Sequence, residues 1–432
     1  MGYKNYMGRT RTSWAYPVIQ TCLAAVSLAA FPGLFSNARA QEAVRMSIAS
    51  AEAAEARRKA ESSIGYYNLK LGPTGWRFGS GLALEYNDNV ENRSENIEGD
   101  FILRPQINAQ MIWPLSEKNS INLSLGGGYS FYVEHSNLDR LFLTPGSELS
   151  FNLYVGDFWI NFHDRFSITE DAYQDPTVAG TGDFARFENS LGVSALWDLN
   201  KVILRSSYDH VTYVSLGANQ GQPDGQSEVL SVSAGYALKP GMLLGVELGG
   251  SLLHYTSTNT AFTDARQWNA GVFYEALLSE YMHFRGSVGY TVYTPEKTSI
   301  TNAILGDFTG YYADLGITHR VNQYVNYTLS AGRTINFAFY GGTIDLYYAR
   351  WQANWQVLRK MSLSTTFEYE HGSQIGFGTE TFDRYGPGIS VGRSITRKLS
   401  GSLGYQYYWR GSDIPGRNYT VNVVTLSLNY AF

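Results

Sequence analysis

Between Trp76 and Phe432, apolar and polar residues alternate with a period of two in segment after segment. Ile121, Leu123, Leu125, Tyr129, Phe131 and Val133 oppose Asn122, Ser124, Ser130 and Glu134. Met282, Phe284, Val288, Tyr290 and Val292 oppose His283, Arg285, Ser287 and Thr291. In the last segment Val424, Leu426, Leu428, Tyr430 and Phe432 fall on one side, and Val423, Thr425, Ser427, Asn429 and Ala431 on the other. Successive side chains of an extended chain point to opposite faces of a sheet. The pattern therefore predicts about eighteen strands, with sixteen as the alternative count. They fall near 76–87, 100–113, 120–134, 140–155, 158–168, 186–197, 202–213, 226–237 and 242–255. The second half reads 264–277, 281–293, 309–321, 324–337, 343–355, 361–369, 381–394, 399–410 and 419–432.

The connectors alternate as well. Tight turns occur at Pro114–Asn119, Gly156-Asp157, Asp198–Lys201, Lys239–Gly241, Ser279-Glu280, Asn322-Gln323, Leu358–Lys360 and Thr396–Lys398. Between them fall longer stretches at Asp88–Gly99, Thr169–Phe184, Leu216–Gly225, Thr256–Thr263, Pro295–Phe308, Gly372–Thr379 and Gly411–Asn418. A soluble sandwich has no reason to sort loop lengths by parity. A transmembrane antiparallel up-and-down β-barrel does, with short turns on one side of the membrane and long loops on the other. Closure of such a barrel removes every open edge, so 419–432 should pair with Trp76–Asn87. An even strand count puts both termini in the periplasm.

Four regions follow. Residues 1–40 read as a signal peptide: Lys4, Arg9 and Arg11, an apolar run from Val18 to Leu34, then Ala38-Arg39-Ala40 before Gln41. Its removal shifts the net charge from −5 to −9 and takes away Cys22, the single cysteine. Disulfides, cysteine nucleophiles and thiolate metal sites are thereby excluded from the mature chain. Residues 41–63 are rich in Ala, Glu, Arg and Lys, and read as a short periplasmic helical arm or a solvated one. Residues 64–75 form a connector with an extended piece at Tyr66–Leu71, and 76–432 the barrel. Mean hydropathy is −0.22, which suits a barrel whose polar inner face dilutes its apolar outer one.

Some residues resist the pattern. Asp164 and Arg333 fall on the nominal lipid face, where a phase-shifting bulge would repair them. Pro105, Pro145 and Pro387 interrupt strand candidates, each removing a ladder donor.

The opposite phase assigns the lumen. Its candidates are Arg104, Arg165, Arg205, Arg285, Arg350 and Arg410, with Glu148, Glu247, Glu275, Glu368, Glu370, Tyr348 and Tyr408. Arg77, Arg186, Arg384, Glu85, Glu134, Glu188, Asp209 and Asp314 share that face. Positive and negative groups nearly balance, which suits cross-strand pairing or a polar path in which Tyr rings stack on sugars. Trp76, Trp113, Trp197 and Trp355 lie beside short turns and Trp409 near a long loop, as an interfacial aromatic belt requires.

No convergent catalytic set emerges. His163-Asp164 and Asp209-His210 are sequence neighbours in strands, so each pair points to opposite faces and makes an improbable base–orienter dyad. The acids of the long connectors (Glu91, Glu95, Glu98, Asp100, Asp171, Asp175, Asp183) read as solvated loop residues, with no metal-loop spacing. No cofactor or metal site is expected, and no nucleic-acid partner.

Leu71-Gly72-Pro73, then Gly79–Leu84 and Glu85-Tyr86-Asn87-Asp88-Asn89-Val90, resemble the opening of outer-membrane β-barrel porins often encoded among exopolysaccharide genes. The terminal stripe Val424, Leu426, Leu428, Tyr430 and Phe432 is similar to the signal that barrel-assembly machinery recognises. The resemblance implies an outer-membrane location among lipid and lipopolysaccharide, and a porin-like role in solute passage or exopolysaccharide export. Residues 41–63 would then offer a handle to periplasmic polysaccharide-export proteins. A non-conducting scaffold barrel is the alternative, and an outer-membrane hydrolase a distant third.

Overall fold

The computed structural model describes residues 67–217, 224–256, 264–296, 307–337, 343–375 and 380–432. The expected signal peptide, the expected 41–63 arm and the connector's first residues lie outside these, as do residues 218–223, 257–263, 297–306, 338–342 and 376–379. The chain begins with β1 (Leu69–Leu71), β2 (Thr74–Asn87), β3 (Asp100–Pro114), β4 (Ser120–Tyr132), β5 (Arg140–Val155) and β6 (Phe158–Thr169). After segment 170–185 come β7 (Arg186–Asp198), β8 (Val202–Ser215), β9 (Gly225–Lys239), β10 (Met242–Tyr255) and β11 (Ala265–Ser279). Then follow β12 (Met282–Pro295), β13 (Phe308–Arg320), β14 (Val325–Phe337), β15 (Thr343–Leu358) and β16 (Met361–Ile375). The last are β17 (Thr381–Tyr385), β18 (Gly388–Ser394), β19 (Leu399–Ser412) and β20 (Tyr419–Ala431).

All form one antiparallel sheet of 20 strands. β20 closes it, with Val423–Ala431 running against Gly79–Asn87. β1 is an annex, and β17 and β18 are halves of one stave, so the closed wall has 18 strands. The strand number and the closing partner therefore match the alternation.

The closing seam has a further part. β20 ends opposite Gly79, leaving the first residues of β2 beyond its reach. β1 fills that place, pairing Leu69, Lys70 and Leu71 with Trp76, Gly75 and Thr74. The Asn68 amide spans the junction. It donates to the carbonyls of Phe78 and Phe432, both at 3.0 Å, and accepts from the Phe78 N–H at 3.1 Å. The end of the predicted connector thus belongs to the sheet, because it pairs backbone groups of β2 that β20 does not reach.

The two faces differ as the alternation requires. In β10, Leu244, Val246, Leu248 and Leu252 are exposed on the outside, while Glu247, Ser251 and Leu253 are buried within. Trp113, Trp197 and Trp355 are exposed on the outer face beside short turns, and Trp409 near a long connector. Trp76 stacks on Phe78 at 5.7 Å between ring centroids. The terminal stripe Val424, Leu426, Leu428, Tyr430 and Phe432 is exposed along one side.

The misfits resolve in different ways. Pro145 sits in a bulge where both neighbouring registers shift, and Gly146 takes φ 94°. Pro105 keeps its place beside β2, while the ladder to β4 skips from Leu103 to Gln106. Pro387 splits β17 from β18. No bulge repairs Asp164 or Arg333, whose pairing to the following strand is continuous. Both stay on the outer face, each with a polar partner there. Asn189 donates to Asp164. Arg333 makes a forked bond to Asp345, 2.8 Å on each arm, and lies over the Tyr311 and Tyr347 rings at 4.1 and 5.3 Å. β16 runs on to Ile375, past the predicted end at 369, because polar His371 and Ser373 occupy its outer face there and hide the alternation.

Candidate functional site

The inner wall carries a ladder of charges, some paired between adjacent strands and others reaching across an intervening one. Arg205 forks onto Glu275 at 2.8 and 3.0 Å, and Arg285 meets the same carboxylate. Arg285 also reaches Glu247 at 3.7 Å, which accepts from the Tyr312 hydroxyl at 2.8 Å. Farther round, the Tyr348 hydroxyl bonds Asp314, and Arg350 lies over the Tyr348 ring while pairing with Glu370 at 3.1 Å. Glu148 and Arg165 pair at 3.0 Å.

At the seam the charges are denser. Arg384 and Arg410 sit directly opposite each other in β17 and β19. Like charges in that relation repel, so each is neutralised. Arg384 takes Glu368 and Glu370 at 2.8 and 2.6 Å, and its guanidinium lies 4.3 Å from the Tyr408 ring centre. Arg410 takes Glu380 at 2.7 Å and lies over Phe382 at 4.2 Å. Neither arginine side chain is exposed.

These arginines are buried because segment 170–185 folds onto them. The sequence placed Asp171, Asp175 and Asp183 in a solvated outer loop; the structure overturns that. The segment leaves β6 and crosses to β17, β19 and β20 on the inner face. Arg384 donates to the Tyr173 carbonyl at 2.8 Å, Arg410 to the Pro176 carbonyl at 2.9 Å and Arg417 to the Thr177 carbonyl at 3.0 Å. Ala172, Val178 and Phe184 form a small core within the segment. Tyr173 and Ala179 pack against Tyr408, Tyr419, Val421 and Val423. At the other end Arg104 grips Asp171 at 2.6 Å, with Glu85 at 3.3 Å and Glu170 at 3.4 Å. Burial pushes the Glu170 carboxyl up to about 7, and the Ser130 hydroxyl donates to it. Arg140 holds Asp183 at 2.8 Å. The segment turns inward because it can bury Tyr173, Val178 and Phe184 while wall arginines meet its carboxylates and carbonyls. The overlooked signal was that apolar set, which a solvated loop does not need.

The register also brings His163 and Asp209 together. Each faces away from its own sequence neighbour, as expected, but they face each other across β7. His163 Nε2 lies 2.7 Å from Asp209 Oδ1 and Nδ1 lies 2.9 Å from Asn161 Oδ1. Gly192 stands between them, and a Cβ there would come within 2.6 Å of the carboxylate and 2.7 Å of the imidazole. Ser190 donates to the same Asp209 oxygen at 3.0 Å. Serine and imidazole share one acceptor and no serine–histidine bond joins them, so the trio lacks the nucleophile–base link of acyl transfer. Among the described residues, no group of three or more His, Cys, Asp or Glu is placed to hold a metal ion.

The 133–139 connector is clipped to the end of the 88–99 connector and the first residue of β3. His135 Nε2 lies 2.9 Å from Glu98 and Nδ1 lies 3.0 Å from Asp100. The Glu98 contact holds the imidazole above its ordinary value, and His135 holds the Glu98 carboxyl below its own. A raised imidazole contributes stability below its unfolded value of about 6.5 and loses it as pH rises through the folded value. Hydrogen exchange in residues 88–99 and 133–139 should therefore quicken, beyond its intrinsic pH dependence, as the pH rises above about 6.5. His135→Gln should abolish that excess.

The fold is similar to several solved outer-membrane proteins. Pseudomonas aeruginosa OpdK shares 10% identity over 83% of this chain and 98% of its own, with a TM-score of 0.45. The outer-membrane channel DcaP of Acinetobacter baumannii shares 12% over 85% of this chain and 100% of its own, with a TM-score of 0.45. A BenF-like porin from Pseudomonas fluorescens Pf-5 shares 9% over 84% and 100%, with a TM-score of 0.47. No curated protein matches the chain. The profile of one family, described as "Putative beta-barrel porin 2", matches residues 79–432, from the first closing pair of the seam to the terminal aromatic. The chain belongs to that porin family, and its barrel is an outer-membrane one.

Proposed function

We propose that the barrel is a channel for hydrophilic solutes whose aperture is set by segment 170–185. The observation that carries this is the anchoring of that segment across a charged inner wall. It packs the arc from β3 and β4 through the seam to β17, while the Arg–Glu–Tyr ladder lines β8 to β15. Tyr312 and Tyr348 beside guanidinium and carboxylate groups of the inner wall suit sugars. Passage of a polymer in support of exopolysaccharide export is the finer form of the reading. In this orientation the short turns and both termini are periplasmic, and the exposed tryptophans lie at the membrane interfaces among lipid and lipopolysaccharide. The terminal stripe is then what the assembly machinery reads, and residues 41–63 would be the handle for periplasmic export proteins. Purified barrel in planar bilayers should give discrete conductance steps. A folded barrel that inserts without such steps would favour the scaffold alternative.

A further inference from the structure

We infer that the pore admits cations and neutral hydrophilic solutes in preference to anions, and that segment 170–185 imposes this preference; the inference rests on the channel reading. The wall alone nearly balances its charges. The segment does not: between Glu170 and Ala185 it carries Asp171, Asp175 and Asp183, beside the Glu170 carboxyl whose burial favours its neutral form, and no Lys, Arg or His. Folding it inward adds only negative charge to the lumen.

The guanidinium groups that receive the segment leave little positive potential for an anion. Arg384 is shared by Glu368 and Glu370, and Arg410 and Arg417 share Glu380. Arg104 stands among three carboxylates, those of Glu85, Glu170 and Asp171. Each remaining donor used at the seam points to a backbone carbonyl of the segment or of its neighbour Arg417. An anion entering here would have to displace a carboxylate already bonded in a poorly solvated site, whereas a cation meets carboxylates in excess. Rings of one charge sign select ions by this means.

The test is the zero-current potential of the full-length barrel in a planar bilayer under a tenfold KCl gradient. The dilute side should stay near or below about 0.1 M, where screening is modest. Potassium should be favoured over chloride by at least about twofold. Asp175→Asn/Asp183→Asn removes two of the segment's charges and releases Arg140, so the potential should move toward zero. Chloride preference in the unaltered protein would overturn the inference while leaving the channel reading intact. Cation preference unchanged in a conducting double variant would overturn the role of the segment. Should the variant fail to assemble, liposome swelling with the unaltered protein decides. Glucosamine should enter faster than glucuronate, and the reverse order would sink the claim. Absence of any conductance would instead remove the channel reading, and this inference with it.

Discussion

Arg384→Ala should raise single-channel conductance by at least about twofold and make the open level noisy. Arg384 does three things at once. It neutralises Glu368 and Glu370, it holds the Tyr173 carbonyl, and it stacks on Tyr408. Removing it leaves two adjacent carboxylates, with Arg350 still on one oxygen of Glu370. Breaking a buried pair by deleting one partner costs about 3–5 kcal/mol. At about 1.4 kcal/mol per tenfold, that would shift the equilibrium between held and released segment by roughly 10² to 10³ or more. The barrel itself should survive, because its ladder does not depend on the segment. Arg384→Lys should recover only part of the effect. One ammonium cannot reproduce the planar fork that serves two carboxylates and a carbonyl. Conductance unchanged in a well-assembled Arg384→Ala protein would mean that the segment does not limit the aperture.

Deletion of Phe432 should reduce the amount of folded barrel in the membrane several-fold or more, with little change in the conductance of the molecules that assemble. Phe432 lies where the wall closes. Its N–H donates to the Phe78 carbonyl at 3.2 Å, its carbonyl accepts from Asn68 at 3.0 Å, and its ring packs edge-on against Tyr430 at 5.4 Å. Without it, the closing seam loses the backbone bond to Phe78, and the Asn68 amide loses one acceptor. These contacts lie far along the strand from the seam arginines, so the aperture should be spared. Semi-native gels give the readout. Folded barrel migrates differently before and after boiling, and the folded band should be depleted in the deletion. Normal levels of that band would refute the assignment. Asn68→Ala should reproduce a weaker version, since β1 retains its ladder to β2.

The extent to which the chain could be read in advance follows from how local each property is. Strand alternation and the sorting of turns are set by residues close in sequence, so the barrel, its closing partner and its two faces were legible. Legibility faded at the strand ends. At His371 and Ser373 the outer face becomes polar near a long connector, and period two no longer separates the sides. It failed at Asp164 and Arg333 because a single chain cannot show that Asn189 or Asp345 lies alongside. The candidate lumen residues were named from phase alone; their pairing required the register.

What the amino-acid sequence determined by itself is the wall. A period of two specifies which side chains face lipid and which face inward, and an aromatic final strand supplies an end that can close. Only the tertiary structure decided what the wall encloses. Segment 170–185 carries loop-like residues and no periodicity, and its inward course depends on Arg384, Arg410 and Arg417, more than two hundred residues away along the chain. Likewise His163 and Asp209 meet only because register sets Gly192 between them. Alternation is a property of neighbouring residues, whereas capture of a segment by a distant guanidinium exists only once closure has brought the two sides of the barrel together.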